Sequence, residues 1–291
     1  MDSGLSHFNL VFFAIFRYVN LMDVDLVYLV FLLLGLGAVG GFLAGLLGIG
    51  GGAIFVPGLY YIFAHSGYEQ HAMHIAVGTS LLTIVLTGTS SAYAHYKKGA
   101  IDLELLKGFL PGVVIGVSLG SFFAGIVSTL FLKSIFAISQ LSFGSYMLIR
   151  GHKTHLFNAM PKQPYFSLIS LLNSCLASMM GVGGGVQNIL FMSICNVPIH
   201  RAIATAAAIG PFIAMIGACG FLYIGLDALG LPPMSIGYIN LAAFSVLIIS
   251  GVIFAPLGAH VAHKLPVPKL KRFFSIFMLL IAAKMLSEIY F

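Results

Sequence analysis

The sequence predicts an all-α polytopic membrane protein made of two inverted-topology repeats, with broken helices meeting near the bilayer midplane. Three observations carry that prediction. Of 291 residues, 59% are hydrophobic and only 8% charged, with a mean hydropathy of +1.05, against about 25% charged in soluble domains. A glycine-broken apolar stretch, Gly41-Phe-Leu-Ala-Gly-Leu-Leu-Gly-Ile-Gly-Gly-Gly-Ala-Ile-Phe-Val-Pro57, returns as Ala177-Ser-Met-Met-Gly-Val-Gly-Gly-Gly-Val-Gln-Asn188. The basic residues collect in alternate short loops, which orients the spans.

Each glycine weakens a helix by about 1 kcal/mol, so both clusters break the helices that carry them. A break inside a bilayer is tolerated only where it lines a cavity or is buried in protein. Two such breaks in matching positions of two halves point to a transporter's binding site. The net charge of +6 falls in loops and reports topology, so nucleic acid is excluded as a partner.

In chain order, residues 5–21 are apolar but carry Asn9, Arg17 and Asn20, which suits an N-terminal amphipathic or tilted helix within residues 1–23. Residues 24–47 form the first long apolar run, and 53–64 a piece too short to cross, weakened by Pro57. Spans follow at 75–95, 105–127 and 130–149. Gly112, Gly116, Gly120 and Ala124 form a small-residue face for close helix packing. Residues 151–164, polar and proline-containing, read as a cytoplasmic linker between transmembrane repeats at 24–150 and 165–291. The second repeat begins with apolar pieces at 165–180 and 186–197 and continues with spans at 199–224, 236–262 and 270–290. With no Trp in the chain, Tyr and Phe are left to serve the interfaces. Cys175, Cys195 and Cys219 lack CxxC spacing and read as free, buried thiols.

The repeat shows residue by residue. Gly50-Gly51-Gly52 matches Gly183-Gly184-Gly185, and His74-Ile-Ala-Val-Gly-Thr79 matches His200-Arg-Ala-Ile-Ala-Thr205. Later, Gly120, Ala124 and Phe136 match Gly258, Ala262 and Phe274. Lys97 and Lys98, then Arg150, Lys153 and Lys162, then Lys264, Lys269, Lys271 and Arg272 mark cytoplasmic loops. Loops near Glu69, Ser128 and Asp227 are nearly free of Lys and Arg, Lys133 excepted. Matching loops thus fall on opposite sides, so the repeats are inverted.

The run from Gly45 through Gly48-Ile-Gly-Gly-Gly52 to Pro57, followed by Gly78-Thr79-Ser80, resembles the TauE/SafE family of sulfite and organosulfonate exporters. Gly181-Val-Gly-Gly-Gly185 with His200-Arg201-Ala202 resembles the same signature. The resemblance covers nearly the whole chain and implies a bacterial-type inner-membrane carrier of small sulfur-containing anions, working by export. The second half departs from the first: Thr205-Ala206 stands against Thr79-Ser80, and Ile75 stands where the second half has Arg201.

Broken helices offer free N–H groups and about half a positive charge at each N-terminus. The candidate substrate-binding residues are therefore Gly50, Gly51, Gly52, Gly183, Gly184 and Gly185. Hydroxyls of Thr79, Ser80 and Thr205 and amides of Gln187 and Asn188 add neutral donors. His74, His200 and Arg201 at span starts are candidates for gating or proton coupling. No cofactor, metal or catalytic group is expected: the HExxH motif is absent and the Ser and His residues show no shared site, which argues against an intramembrane enzyme. A passive small-anion channel is the alternative. The expected partners are the lipid bilayer and a small anion, and a homo-oligomer is compatible with the sequence.

Overall fold

A computed structural model describes residues 26–150, 157–262 and 267–290. The expected helix within residues 1–23, residues 151–156 of the linker and the loop at Lys264 lie outside the described residues. Among the described residues the chain is almost entirely helical. The first five helices are α1 (Leu26–Leu47), α2 (Gly52–His65), α3 (Ala72–Tyr96), α4 (Leu103–Ile126) and α5 (Thr129–Arg150). The next five are α6 (Tyr165–Met180), α7 (Gly185–Ile194), α8 (Ile199–Ile224), α9 (Leu241–Ala262) and α10 (Val267–Tyr290). A short 3₁₀ turn, Glu69–His71, precedes α3. Six of the described stretches are long and apolar enough to cross a membrane, including Val27–Leu47, Glu69–Tyr96 and Ile199–Ile224. The protein is a multi-pass integral membrane protein.

The expected span from 236 starts later. A two-stranded hairpin, β1 (Ser235–Ile236) and β2 (Ile239–Asn240), comes first and turns through Gly237 at φ 54°. Asn240 then caps α9, its Oδ1 accepting the Ala243 N–H at 2.9 Å. An apolar loop residue such as Ile236 looks like the start of a span to hydropathy alone.

Close approach at small residues fixes the helix pairs. Side chains added at Gly112, Gly116 and Gly120 of α4 would run into the backbone of Ser167, Leu171 and Cys175 of α6, so the small-residue face packs on α6 and the two helices run parallel. Along α1, Gly37, Gly41 and Gly45 meet Leu247, Gly251 and Ala255 of α9, again in parallel. Helices α3 and α8 are antiparallel, Gly78 lying against Phe221 and Gly88 against Pro211. So are α5 and α10, where Gly144 meets Met278 and Leu279.

Each short helix folds back on the one before it. Gly40 of α1 lies against the Phe55 ring of α2, and Gly58 against Leu36. In the second half, Phe166 at the start of α6 and Phe191 near the end of α7 bring their rings to 6.2 Å. Both breaks are therefore the tips of helical hairpins. Pro57 sits buried within α2 without ending it.

Lys133, the exception in the charge pattern, is 4% exposed and pairs with Glu288 of α10 at 2.9 Å. Its ammonium lies 4.8 Å from the centre of the Tyr60 ring. A buried, neutralised lysine is not a loop charge, so it does not disturb the orientation read from the loops. Exposed tyrosines stand at helix ends, Tyr96 on α3, Tyr165 on α6 and Tyr223 on α8. Of the thiols, Cys195 is buried and Cys175 half-buried, but Cys219 is exposed on α8. An apolar thiol is at home on a lipid-facing surface, so hydropathy does not separate that face from the interior.

Candidate functional site at the crossing of two helix breaks

The two breaks have the same backbone. Gly48, Gly50 and Gly51 take φ of 66°, 75° and 79°, and Gly181, Gly183 and Gly184 take 68°, 35° and 69°. Gly51 is the N-cap of α2 and Gly184 the N-cap of α7, both left-handed. Residues with a Cβ occupy that region only under strain, which is why glycine stands at each turn.

They also touch each other reciprocally. A Cβ on Gly52 would meet Gly181 O and lie 2.7 Å from Val182 Cα. A Cβ on Gly185 would meet Ile49 Cα and lie 2.7 Å from Gly48 O. The structure therefore brings Gly50, Gly51 and Gly52 together with Gly183, Gly184 and Gly185, as the sequence leads one to expect. Ile84, midway along α3, fills the space between: a Cβ on Gly50 would be 3.1 Å, and one on Gly183 3.2 Å, from Ile84 Cγ2.

The hydroxyl and amide candidates divide. Ser80 reaches the breaks, donating to Gly181 O at 2.9 Å. Thr79 and Thr205 serve neighbouring helix starts. Thr79 Oγ1 accepts the Asn240 N–H at 2.9 Å, and Thr205 Oγ1 the Asp102 N–H at 3.0 Å. Asp102 caps α4 as Asn240 caps α9, accepting from Leu105 N–H at 3.1 Å. Asn188, one turn into α7, is fully buried, and both its side-chain polar atoms lack a hydrogen-bond partner. Its Nδ2 lies 3.0 Å from where a Cβ on Gly184 would be. Gln187 is 3% exposed, its Nε2 3.5 Å from Met180 Sδ and its Oε1 without a partner.

The residues expected at a gate stand away from the crossing. His74 begins α3, ten positions and so about 15 Å before Ile84 along the helix. It is buried, with ring nitrogens 3.0 Å from Ala124 O and 3.2 Å from Thr129 Oγ1, and its ring centre is 4.8 Å from that of Tyr238. His200 is exposed at the start of α8. Arg201 is also exposed there and pairs with Asp102 at 3.6 Å. The matched histidines thus occupy different environments.

Comparison with known proteins gives this geometry its setting. The profile of the family described as sulfite exporter TauE/SafE matches residues 33–285. The chain belongs to the TauE/SafE family. A probable membrane transporter protein of Haemophilus influenzae is 32% identical over 258 residues, covering 88% of this chain and 97% of its own. One of Methanocaldococcus jannaschii is 25% identical over 251 residues, with 84% and 90% covered. Another, YunE of Bacillus subtilis, is 25% identical over 287 residues, with 88% and 97% covered. No solved structure matches the chain. The family places both glycine breaks within its matched region, and its curated members are named as transporters.

Sequence reasoning missed Ile84 and Gly210, which face the breaks from α3 and α8. The signal was present, because the register that aligns Thr79 with Thr205 also aligns Ile84 with Gly210.

Proposed function

We propose that this protein is a secondary transporter that moves small sulfur-containing anions (sulfite, sulfoacetate, or a related organosulfonate or thiosulfate) by alternating access. Two inverted repeats, residues 24–150 and 165–291, rock against each other around one site. The observation that carries the reading is the reciprocal crossing of two left-handed glycine N-caps. It sets the N-termini of α2 and α7 beside each other in the protein interior. Each N-terminus offers unpaired N–H groups and partial positive charge, which suits an anion and needs no buried cation. The pairing of helices supports the repeat: α1 runs parallel to α9 as α6 does to α4, while α3 crosses α8 and α5 crosses α10 antiparallel. The family description supports a sulfur-containing substrate. Transport runs as export and is coupled to protons through His74 and His200, with Arg201 at the cytoplasmic gate.

Flux in proteoliposomes tests this. Sulfite, sulfoacetate, thiosulfate and chloride are compared with and without a pH gradient. Saturable, sulfur-selective flux that responds to the gradient is expected. Non-saturating chloride flux would replace the carrier with a passive channel, and absence of flux for every anion would overturn the substrate class.

A further inference from the structure

The two breaks share a backbone but not their side chains. Gly51 and Gly184 match, so Phe55 of α2 matches Asn188 of α7, and Ile54 matches Gln187. Phe55 is fully buried, and its ring lies against Gly40 and Gly51, closing that side of the first break. In the matching place beside Gly184 stands an amide with no partner. A third difference falls on the long helices. The Ile84 side chain fills the space beside Gly50 and Gly183. Its counterpart Gly210 leaves that space open, since a Cβ there would find only Gly183 O, at 3.5 Å.

We infer that the anion site is one-sided: the second break binds, through the N-terminus of α7 and the side chains of Asn188 and Gln187, and the first break is an apolar wall of Ile54, Phe55 and Ile84. A buried amide that makes no hydrogen bond is costly, and Asn188, with the unpartnered Oε1 of Gln187 beside it at a helix N-terminus, signals a ligand. The first bond within α7 runs from Asn188 N–H to Gly184 O at 3.0 Å, so the preceding amides of the first turn are not used by the helix. Together with Asn188 Nδ2 they converge on an anionic oxygen, and the space at Gly210 admits it. At the first break the N-terminus of α2 has unused amides too, but Ile54 and Phe55 bring no polar side-chain atom to join them.

The inference rests on the proposed transport site, and two measurements separate their fates. The first is calorimetric titration of purified protein with sodium sulfite and sodium sulfoacetate. Asn188→Leu should bind at least about tenfold more weakly than wild type, the effect of losing one hydrogen bond to a charged group. Gly210→Ile, at a helical glycine of ordinary φ, should abolish binding while the protein stays monodisperse. Phe55→Leu should bind as wild type does. If Asn188→Leu and Gly210→Ile bind like wild type, or Phe55→Leu alone weakens binding, the one-sided site is overturned. The second measurement does not depend on which anion is carried. In a background lacking native thiols, Asn188→Cys and Phe55→Cys are exposed to a small anionic methanethiosulfonate in membranes. Faster modification at 188 supports the inference, and equal or faster modification at 55 overturns it. If wild type binds neither anion yet only position 188 reacts, the substrate class fails and the one-sided site stands.

Discussion

At Gly48–Gly52 and Gly181–Gly185 the chain solves one backbone problem twice. Each hairpin tip turns through three left-handed glycines, caps a short helix with the last of them, and presses the next glycine onto the other tip. Around these tips the halves diverge. The first is packed with Ile54, Phe55 and Ile84, whereas the second carries Gln187, Asn188 and Gly210. Ser80 crosses from one half to the carbonyl of Gly181 at 2.9 Å, but its counterpart Ala206 has no hydroxyl with which to return the bond. Symmetry is thus a property of the scaffold, and the asymmetry lies in the chemistry placed on it. A symmetric pair of tips positions two helix N-termini, and in the proposed site the side chains decide which of them meets the ligand.

The largest expected effect tests the shared part. Gly52→Ala and Gly185→Ala each force a Cβ into backbone of the opposite tip, which cannot yield as a side chain would. Each should destabilise by about 3 kcal/mol, read as lost monodispersity and a lower Tm. The two should suffer alike, and a benign variant at either position would break the equivalence of the tips. Next come the two threonines that hold helix starts. Thr79→Val leaves the amide of buried Asn240 without its acceptor, at a cost of about 2 kcal/mol. Thr205→Val does the same to the amide of Asp102, which is half-buried, so water repairs part of the loss and the Tm should fall less.

Smaller effects sharpen the difference between the halves. Asn188→Leu removes two unsatisfied polar atoms from the interior and should raise stability in the absence of anion by about 1 kcal/mol. A stabilising substitution at a proposed binding residue would be the usual trade between stability and function. Ser80→Ala removes the one hydrogen bond between the halves for which Ala206 supplies no return, and should cost about 1 kcal/mol by thermal melt.

Much of this was legible in the sequence because it follows from hydropathy, glycine and charge. The long helices appear within a few residues of their expected bounds, the small-residue face of α4 meets α6, and the glycine clusters meet each other. What hydropathy does not carry is direction. Residues 52–65 are apolar whether the chain continues forward after the break or doubles back, and the packing of Phe55 on Gly40 and of Leu36 on Gly58 decides for the hairpin. Partners distant in sequence were equally hidden. Thr79 meets the amide of Asn240 and Lys133 meets Glu288, and no local pattern announces either pair. Among the candidate site residues, the glycines, Ser80, Gln187 and Asn188 lie at the crossing, while His74, His200 and Arg201 stand at helix starts away from it. Asn188 was visible as a polar residue beside a break. That its amide is unpartnered, and that Phe55 closes the matching place, required the packing.

The central claim is that one anion site at the crossing is carried between the two faces of the membrane. Counterflow tests it most directly: proteoliposomes preloaded with unlabelled sulfite are compared with empty ones for entry of external radiolabelled sulfite. A carrier whose loaded site returns faster than its empty one predicts faster entry and a transient overshoot in the preloaded vesicles. Entry at the same rate in both, rising linearly with external concentration, would contradict alternating access and leave a pore.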